Sequence, residues 1–202
     1  GIDLAGSNTP FETSSLVDVA SLTANSGTLD LPGGTDVTVE VGDITTADEN
    51  AEILADGGKI DMKDLDRVTT TDVTVNAGGT LNFSSSTLDV LGDFTRSSDA
   101  SATVTTGGSS VLEFGVPDAN IAGGVASQFD PGAQFTVNGS VLIEKIDTQL
   151  NLTSPIRVNG DFTVTDNQDN SFASDPELIL DDNLIFGDVN ATNSVGGTIT
   201  LD

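Results

Sequence analysis

The sequence predicts an all-β protein in which short strands stack as successive coils of an irregular parallel solenoid. Three observations lead to this fold class. Aspartate far outnumbers glutamate, apolar residues alternate with polar ones over short stretches, and two glycine-containing patterns recur along the chain. Aspartate and glycine favour turns, and alternation is typical of a strand with one buried face. The alternative fold class that these observations allow is an antiparallel β-sandwich of hairpins, as one domain or two.

Composition limits the function as well as the fold. The 202-residue chain has 25 Asp, 7 Glu and only 6 basic residues, so its formal net charge is -26. It contains no His, Cys, Trp or Tyr, which removes the usual general base, thiol nucleophile and zinc ligands. Nucleic-acid binding needs a basic surface, and anionic membranes repel an acidic one. We therefore predict neither a nucleic-acid partner nor insertion into a membrane.

Residues 1–15 form a weakly patterned lead-in that is interrupted at Pro10. We expect this segment to be a cap or a strand donated to a neighbour. From Leu16 the alternation becomes regular, so residues 16–202 are predicted to form a single solenoid domain. The first residue, Gly1, is compatible with the processed end of a secreted protein, and we expect an extracellular or cell-surface location.

A glycine followed by alternating apolar residues is the first recurrent pattern. The alternation places aliphatic or Phe side chains on one face and polar side chains on the other, and glycine lets the chain turn with φ > 0. We expect Leu81, Phe83 and Phe94 to belong to internal ladders of apolar side chains. The pattern occurs at Gly27–Leu31, Gly58–Met62, Gly79–Phe83 and Gly197–Leu201.

The second recurrent pattern is a strand that runs into a Gly-Asp pair and continues beyond it. The intervals between these glycines are unequal, which excludes a strict short repeat and favours coils of roughly 20–30 residues with insertions. One coil cannot bury its inward face alone, whereas coils stacked about 4.8 Å apart cover one another. The pattern occurs at Val37–Thr45, Leu88–Thr95, Ile156–Thr163 and Leu184–Val189.

Residues 49–68 depart from the β pattern and hold Lys59, Lys63 and Arg67, which are half of the 6 basic residues. Their i, i+4 spacing would align them on one face of a helix, as a positive stripe that docks on an acidic surface. The alternative interpretation is a strand that includes Ile60 and Met62, followed by a short, solvated turn of helix. The sequence favours this second interpretation.

The run from Leu88 to Val164 contains L-x-V-x-G-D-F-T, a glycine-rich turn and P-I-R-V-N-G-D-F-T-V. In these motifs the chain resembles, over residues 22–202, the extracellular parallel β-helix repeats of bacterial surface proteins, of the adhesin and autotransporter-passenger type. The resemblance implies a right-handed parallel β-helix that projects from or coats a cell. It also implies an adhesive or structural role and usually no chemistry.

Carboxylate pairs are the groups of this chain that come nearest to catalytic residues. Asp161 with Asp181 or Asp182 would suit a glycosidase. Enzymes built on β-helices generally hold sugars with basic or aromatic residues, however, and this chain has no Trp or Tyr. An Asp in a Gly-Asp turn is ordinarily a turn former. We therefore predict no catalytic residue, no cofactor-binding residue and no enzymatic activity.

Two acidic stretches, residues 166–170 and residues 181–183, offer the hard oxygen ligands that calcium prefers. The first lacks the glycine and the distal glutamate of an EF-hand loop. Ca2+ is therefore a candidate ligand and not a required cofactor, and no residue is assigned to a metal.

Four sequons are candidate glycosylation sites, at Asn82, Asn138, Asn151 and Asn190.

The alternating pattern of Thr198–Asp202 predicts an unpaired sheet edge, so we expect either that the chain is a piece of something longer or that another subunit covers this edge. We therefore expect a non-enzymatic extracellular structural protein that self-assembles head to tail into a filament or a cell-surface coat, with itself as the main partner. The alternative function is a monomeric adhesin or glycan-binding segment of a larger surface protein, with surface glycans as its partners.

The net charge of -26 predicts that stability depends on salt. Repulsion among the carboxylates weakens when the Debye length falls from about 30 Å at 0.01 M salt to about 3 Å at 1 M salt. We expect the melting temperature, measured by circular dichroism, to be higher at about 1 M salt than at about 0.01 M salt. Equal melting temperatures in both conditions would contradict this expectation.

Overall fold

A computed structural model gives the fold. Its described residues contain strands and turns but no helix, and therefore no helix that is long and apolar enough to cross a membrane. The described residues are 2–3, 17–19, 21–31, 38–41, 52–63, 65–115, 127–144, 150–164, 171–172, 178–180, 184–186, 194–195 and 199–201.

The regular structure of these residues consists of 25 short strands. In chain order they are β1 (Ile2–Asp3), β2 (Val17–Val19), β3 (Leu22–Ala24), β4 (Thr28–Asp30), β5 (Thr38–Val41), β6 (Glu52–Ala55), β7 (Lys59–Asp61), β8 (Arg67–Thr70), β9 (Asp72–Val75), β10 (Thr80–Asn82), β11 (Thr87–Val90), β12 (Phe94–Arg96), β13 (Thr103–Thr105), β14 (Val111–Gly115), β15 (Ser127–Asp130), β16 (Phe135–Val137), β17 (Ser140–Glu144), β18 (Leu150–Leu152), β19 (Ile156–Val158), β20 (Phe162–Val164), β21 (Ser171–Phe172), β22 (Leu178–Leu180), β23 (Leu184–Phe186), β24 (Ser194–Val195) and β25 (Ile199–Leu201).

Every strand pairing among the described residues is parallel. The antiparallel sandwich is therefore wrong for this part of the chain, and the connectivity is consistent with a parallel β-solenoid. The first sheet has the order β1-β3-β6-β9-β12-β15-β18, the second β4-β7-β10-β13, the third β2-β5-β8-β11-β14-β17-β20-β23, the fourth β16-β19-β22-β25 and the fifth β21-β24.

One turn of the chain, which we call a coil, adds a strand to each of three sheets. For example, β6, β7 and β8 lie in the first, second and third sheets, and β9, β10 and β11 lie beside them one coil later. Val73 thereby pairs with Ile53, 20 residues earlier. Between β12 and β15 the advance is longer, since Phe94 pairs with Phe129, 35 residues later. The coils are thus unequal in length, as the irregular glycine intervals predicted.

The alternation of the sequence decides which side chains fill the interior. In β6 and β9 the second and fourth residues are buried, and the residues between them are partly exposed. Leu81, Phe83 and Phe94 are each 0% exposed, which confirms their predicted burial. Leu81 also pairs with Ile60 of the preceding coil and with Val104 of the next, so apolar side chains lie above one another along the stack.

Four phenylalanines meet where the second sheet ends at β13 and the fourth begins at β16. The Phe129 ring lies 5.3 Å from the Phe94 ring, edge to face, and 5.1 Å from the Phe114 ring. Phe135 completes the group, with its centroid 6.3 Å from that of Phe129. Such aromatic pairs contribute about 0.5–1.5 kcal/mol each beyond the burial of their area. The four rings fill the interior beside the junction between the second and fourth sheets.

Arg96 bridges the same junction. Its Nε donates a hydrogen bond to the carbonyl of Pro131 at 2.6 Å, and its Nη atoms donate to the carbonyls of Ala102 at 3.5 Å and Ala133 at 3.3 Å. The guanidinium also lies 5.4 Å from the ring centroid of Phe135. Desolvation lowers the pKa of Arg96, although a guanidinium stays charged in proteins. One side chain thus joins the two sides of a sheet junction.

The lead-in contributes to the first sheet of its own chain. Ile2–Asp3 forms β1, and Ile2 pairs with Leu22 while Asp3 pairs with Thr23. The remainder of residues 1–15 lies outside the described residues.

The helix face proposed for residues 49–68 is wrong. Lys59 and Arg67 lie in strands β7 and β8, and Lys63 lies in a turn between these strands. The physical reason is that Ile60 is fully buried and its strand pairs with neighbours on both sides. Tertiary strand pairing therefore overrides a charge spacing that would suit a helix. The strand of the second interpretation is confirmed at Ile60, whereas Met62 lies just beyond the end of β7. The predicted turn of helix is absent from the described residues.

Gly79 of the first pattern and Gly78, which precedes it, serve two separate needs. Gly78 has φ +79°, a conformation that residues with a Cβ rarely adopt. Gly79 has an ordinary φ, but a Cβ there would overlap the carbonyl oxygen of Ala55 in the preceding coil. The sequence pattern predicted the first need. The second need is a close approach between coils, which only the stack reveals.

Substitution of Gly79 tests this close approach. We expect Gly79→Ala to lower the free energy of unfolding by about 1–3 kcal/mol, because the Ala55 carbonyl belongs to a paired strand and cannot move aside. Gly108→Ala is the matched control, since a Cβ there meets no atom within 4 Å. Its effect should stay within about 0.5 kcal/mol. Equal urea-unfolding midpoints for the two variants would contradict the close approach.

Candidate functional site

Of the four Gly-Asp pairs, Gly92-Asp93 and Gly160-Asp161 are among the described residues, whereas residues 42–43 and 187–188 are not. The two described pairs lie at corners where one coil binds the next. A Cβ at Gly92 would lie 2.8 Å from the carbonyl oxygen of Thr71, so the corner has no room for a side chain. The next residue, Asp93, donates its backbone N–H to Oδ1 of Asp72 at 2.7 Å. In turn, Oδ1 of Asp93 accepts the N–H of Gln128 at 2.8 Å. Two successive carboxylates therefore each bind a backbone N–H of the following coil.

Asp161, the described member of the carboxylate pair that was weighed as a glycosidase candidate and not predicted to be catalytic, occupies an equivalent corner. Its N–H donates to Oγ of Ser140 at 3.2 Å, and the carbonyl of Asp161 accepts the N–H of Val141 at 2.9 Å. The other candidates, Asp181 and Asp182, lie outside the described residues. The surroundings of Asp161 are those of a turn residue that joins two coils, which agrees with the sequence interpretation of this position.

A second polar cluster lies on the outer face of the second sheet. Nζ of Lys59 is 2.6 Å from Oδ2 of Asp61, and Nδ2 of Asn82 donates to Oδ1 of the same carboxylate at 2.9 Å. The N–H of Lys63 also donates to this Oδ1, at 3.4 Å. Both oxygens of Asp61, which is 5% exposed, are thus engaged by neighbours. The cluster therefore joins two coils.

A third cluster, which the sequence interpretation missed, combines Arg67, Asp89 and Glu113 on three successive strands of the third sheet. One Nη of Arg67 lies 3.4 Å from Oδ2 of Asp89, and the other lies 3.0 Å from Oε2 of Glu113. Leu88 and Val90 are 0% exposed and flank Asp89 along its strand. Asp89 therefore points away from the core, yet it is only 2% exposed.

Strand register creates this cluster. Asp89 and Glu113 occupy directly paired positions, and Arg67 is paired with Thr87, two residues before Asp89. Two carboxylates at opposite positions repel each other, and burial strengthens the repulsion. A guanidinium within reach of both reduces that cost. In the sequence these residues are more than 20 positions apart, so they can be grouped only when the length of each coil is known.

The calcium expectation falls largely outside the described structure. Residues 166–170 and 181–183 are not among the described residues. Within the described part, no group of three or more acidic, His or Cys side chains is arranged to hold a metal ion. Calcium binding therefore stays a prediction.

Two of the four sequon asparagines make side-chain hydrogen bonds, and the side chains of the other two are not described. The amide of Asn82 donates to Asp61, and its Oδ1 accepts the N–H of Ser84 at 3.2 Å. The amide of Asn138 donates to the carbonyl of Thr106 at 3.0 Å. Asn151 lies in β18, and Asn190 lies outside the described residues. A glycan on Asn82 or Asn138 would disrupt these hydrogen bonds between coils.

Asp99 belongs to an exposed turn. Its Oδ1 accepts hydrogen bonds from the hydroxyl and the N–H of Ser101, at 2.7 Å and 2.8 Å. These bonds lower the pKa of Asp99 by stabilising the carboxylate. The hydroxyl of Ser101 also accepts the N–H of Gly78, at 2.8 Å. Hydrogen bonding within a turn therefore accounts for this pKa.

Comparisons of the chain with protein-family models, with curated proteins and with solved structures gave no significant match.

Removal of the guanidinium tests the third cluster. We expect Arg67→Met to lower the free energy of unfolding by about 3 kcal/mol, because two buried carboxylates lose their shared cation. This value is at the low end of the range for a broken buried pair, since the Arg67 side chain is 36% exposed. The exposed Lys63→Met is the control, with an expected effect within about 0.5 kcal/mol. Similar urea-unfolding curves for both variants would contradict the assignment.

Proposed function

We propose that this chain is a non-enzymatic extracellular structural protein, built as a right-handed parallel β-helix, that self-assembles head to tail into a filament or a cell-surface coat. Its parallel sheets, with consecutive coils side by side, support the β-helix. The right-handedness of the proposed β-helix rests on a general rule, because crossover connections between parallel strands of one sheet are right-handed in about 98% of cases.

The structural role is supported by polar side chains that bind neighbouring coils of the same chain. Asp72 and Asp93 accept backbone N–H groups of following coils, and Asp61 is held by Lys59 and Asn82. Catalytic acids and bases need contact with a substrate and a tuned pKa. These carboxylates instead bind the protein itself. These three carboxylates thus help to hold neighbouring coils together.

Head-to-tail association is favoured by the repetition of the coil. Each coil binds the next through parallel backbone pairing in register, so a coil of a second copy can add through contacts of the same kind. Contacts that join unlike ends of a molecule propagate into fibres. The net charge of -26 opposes contact between the sides of two molecules. Growth along the stack is therefore favoured over lateral aggregation.

The alternative function, a monomeric adhesin or glycan-binding segment, is supported by the outer face of the second sheet. Thr80, Asn82, Thr103 and Thr105 are partly or fully exposed there, and their polar groups are of the kind that bind sugar hydroxyls. That hypothesis also expects exposed Phe residues. Every Phe whose side chain is described is buried instead, namely Phe83, Phe94, Phe114, Phe129, Phe135 and Phe162. The structural role is therefore the better supported of the two.

Negative-stain electron microscopy of the purified chain at micromolar concentration, with and without calcium, tests the proposal. We expect unbranched filaments, because coils of one copy should add to coils of another. Filaments that need calcium would indicate that ions bridge acidic faces, whereas filaments in chelator would indicate contacts between backbone edges. Persistent monomers in both conditions would overturn self-assembly, and specific binding on a glycan array would then support the adhesin.

Deletion of residues 1–15 provides a matched variant for the same measurement. β1 pairs with β3 of its own chain, so strand donation requires β1 to leave β3 and pair with a neighbour. If it does, the truncated chain should remain folded by circular dichroism but form no filaments. Filaments formed by the truncated chain would contradict strand donation.

A further inference from the structure

Two Asn-Gly pairs lie one above the other at equivalent corners of successive coils. Asn138-Gly139 follows β16, and Asn159-Gly160 follows β19, which is paired with β16. The N–H of Asn159 donates to the carbonyl of Val137 at 2.9 Å. Both asparagines are exposed to solvent. Water can therefore reach the most labile kind of dipeptide in this chain at two stacked positions.

The fold requires glycine at both corners. A Cβ at Gly139 would overlap the carbonyl oxygen of Ser110, and a Cβ at Gly160 would lie 2.7 Å from Oγ of Ser140. The chain therefore cannot lessen the reactivity of these pairs by replacing the glycine with a bulkier residue. Any protection has to come from the surrounding structure.

The reaction that threatens an Asn-Gly pair is deamidation. The glycine N loses its proton and attacks Cγ of the asparagine, a C–N bond forms, and the amide nitrogen leaves as ammonia. Water then opens the resulting succinimide to aspartate or isoaspartate. Glycine favours this reaction because it lacks a Cβ and lets the backbone reach the required geometry. No reagent other than water is consumed.

The structure restrains both participants in the reaction at Asn159 and the side-chain amide in the reaction at Asn138. The N–H of Gly160, which would become the nucleophile for Asn159, donates to the carbonyl of Gly139 at 3.0 Å. The amide of Asn159 donates to Oδ1 of Asn138 at 3.0 Å. The amide of Asn138 donates to the carbonyl of Thr106 at 3.0 Å, and its N–H donates to Oγ1 of Thr106 at 2.9 Å.

We propose that Asn138 and Asn159 are latent deamidation sites, held unreacted by the hydrogen-bonded ladder Thr106–Asn138–Asn159 and opened to hydrolysis only when their coils separate. Local separation of a coil breaks the bond from Gly160 to Gly139 and releases both the nucleophile and the amide. Conversion to isoaspartate then adds a main-chain atom and a negative charge at a corner that has no spare room. A coil that opens for long enough is thereby prevented from closing again in its original register.

The test measures deamidation of the full chain by peptide mapping with mass spectrometry during incubation at mildly alkaline pH. We expect both sites to react at least about tenfold more slowly in the folded protein than in the same chain unfolded in urea, since reaction in the folded state requires local opening. Equal rates in the folded and unfolded chain would overturn the proposal.

The variant Asn138→Ala tests the ladder itself, because it removes the acceptor for the Asn159 amide and one of the two reactive sites. We expect deamidation of Asn159 to accelerate several-fold in the folded variant and to be unchanged in the unfolded one. Thr153→Ala, an exposed position outside the ladder, is the control and should leave the rate at Asn159 unaltered. An unchanged rate at Asn159 in folded Asn138→Ala would overturn the role of the ladder. Circular dichroism establishes that each variant is folded.

Discussion

Parallel pairing between successive coils is the constraint on which the rest of this structure depends. Neighbouring strands in a sheet lie about 4.8 Å apart, so each residue is placed directly beside its counterpart in the next coil. Ile53 beside Val73 and Leu81 beside Ile60 continue the apolar interior in this way. A mismatch of one residue would turn apolar side chains outward. The core and the coil register therefore specify each other.

The same pairing creates an electrostatic difficulty in an acidic chain, because like charges also become neighbours. The structure answers it in two ways among the described residues. Asp72 and Asp93 accept backbone N–H groups of the next coil, so their charges are stabilised by hydrogen bonds. Asp89 and Glu113 are directly paired and share the guanidinium of Arg67. Hydrogen bonds and one well-placed cation thus offset part of the repulsion that stacking imposes.

This use of side chains connects the architecture to the proposed role. Carboxylates and amides at the described corners join successive coils of the stack to one another. The proposed ladder from Thr106 through Asn138 to Asn159 would also protect the stack against deamidation, because it restrains the side-chain amides of both asparagines. Long service outside a cell would make both properties valuable, and neither requires an active site.

The sequence by itself determined the β class, the inward positions and the corners, because alternation and glycine placement are local properties. Leu81 and Phe94 were predicted to be buried for this reason, and they are. The tertiary structure alone decided which coils are neighbours, since coil lengths vary from 20 residues to 35. Hence the grouping of Arg67 with Asp89 and Glu113 was not predictable from local patterns. The helix face considered for residues 49–68, which the sequence did not favour, is absent from the described residues because pairing with adjacent coils outweighs a local charge spacing.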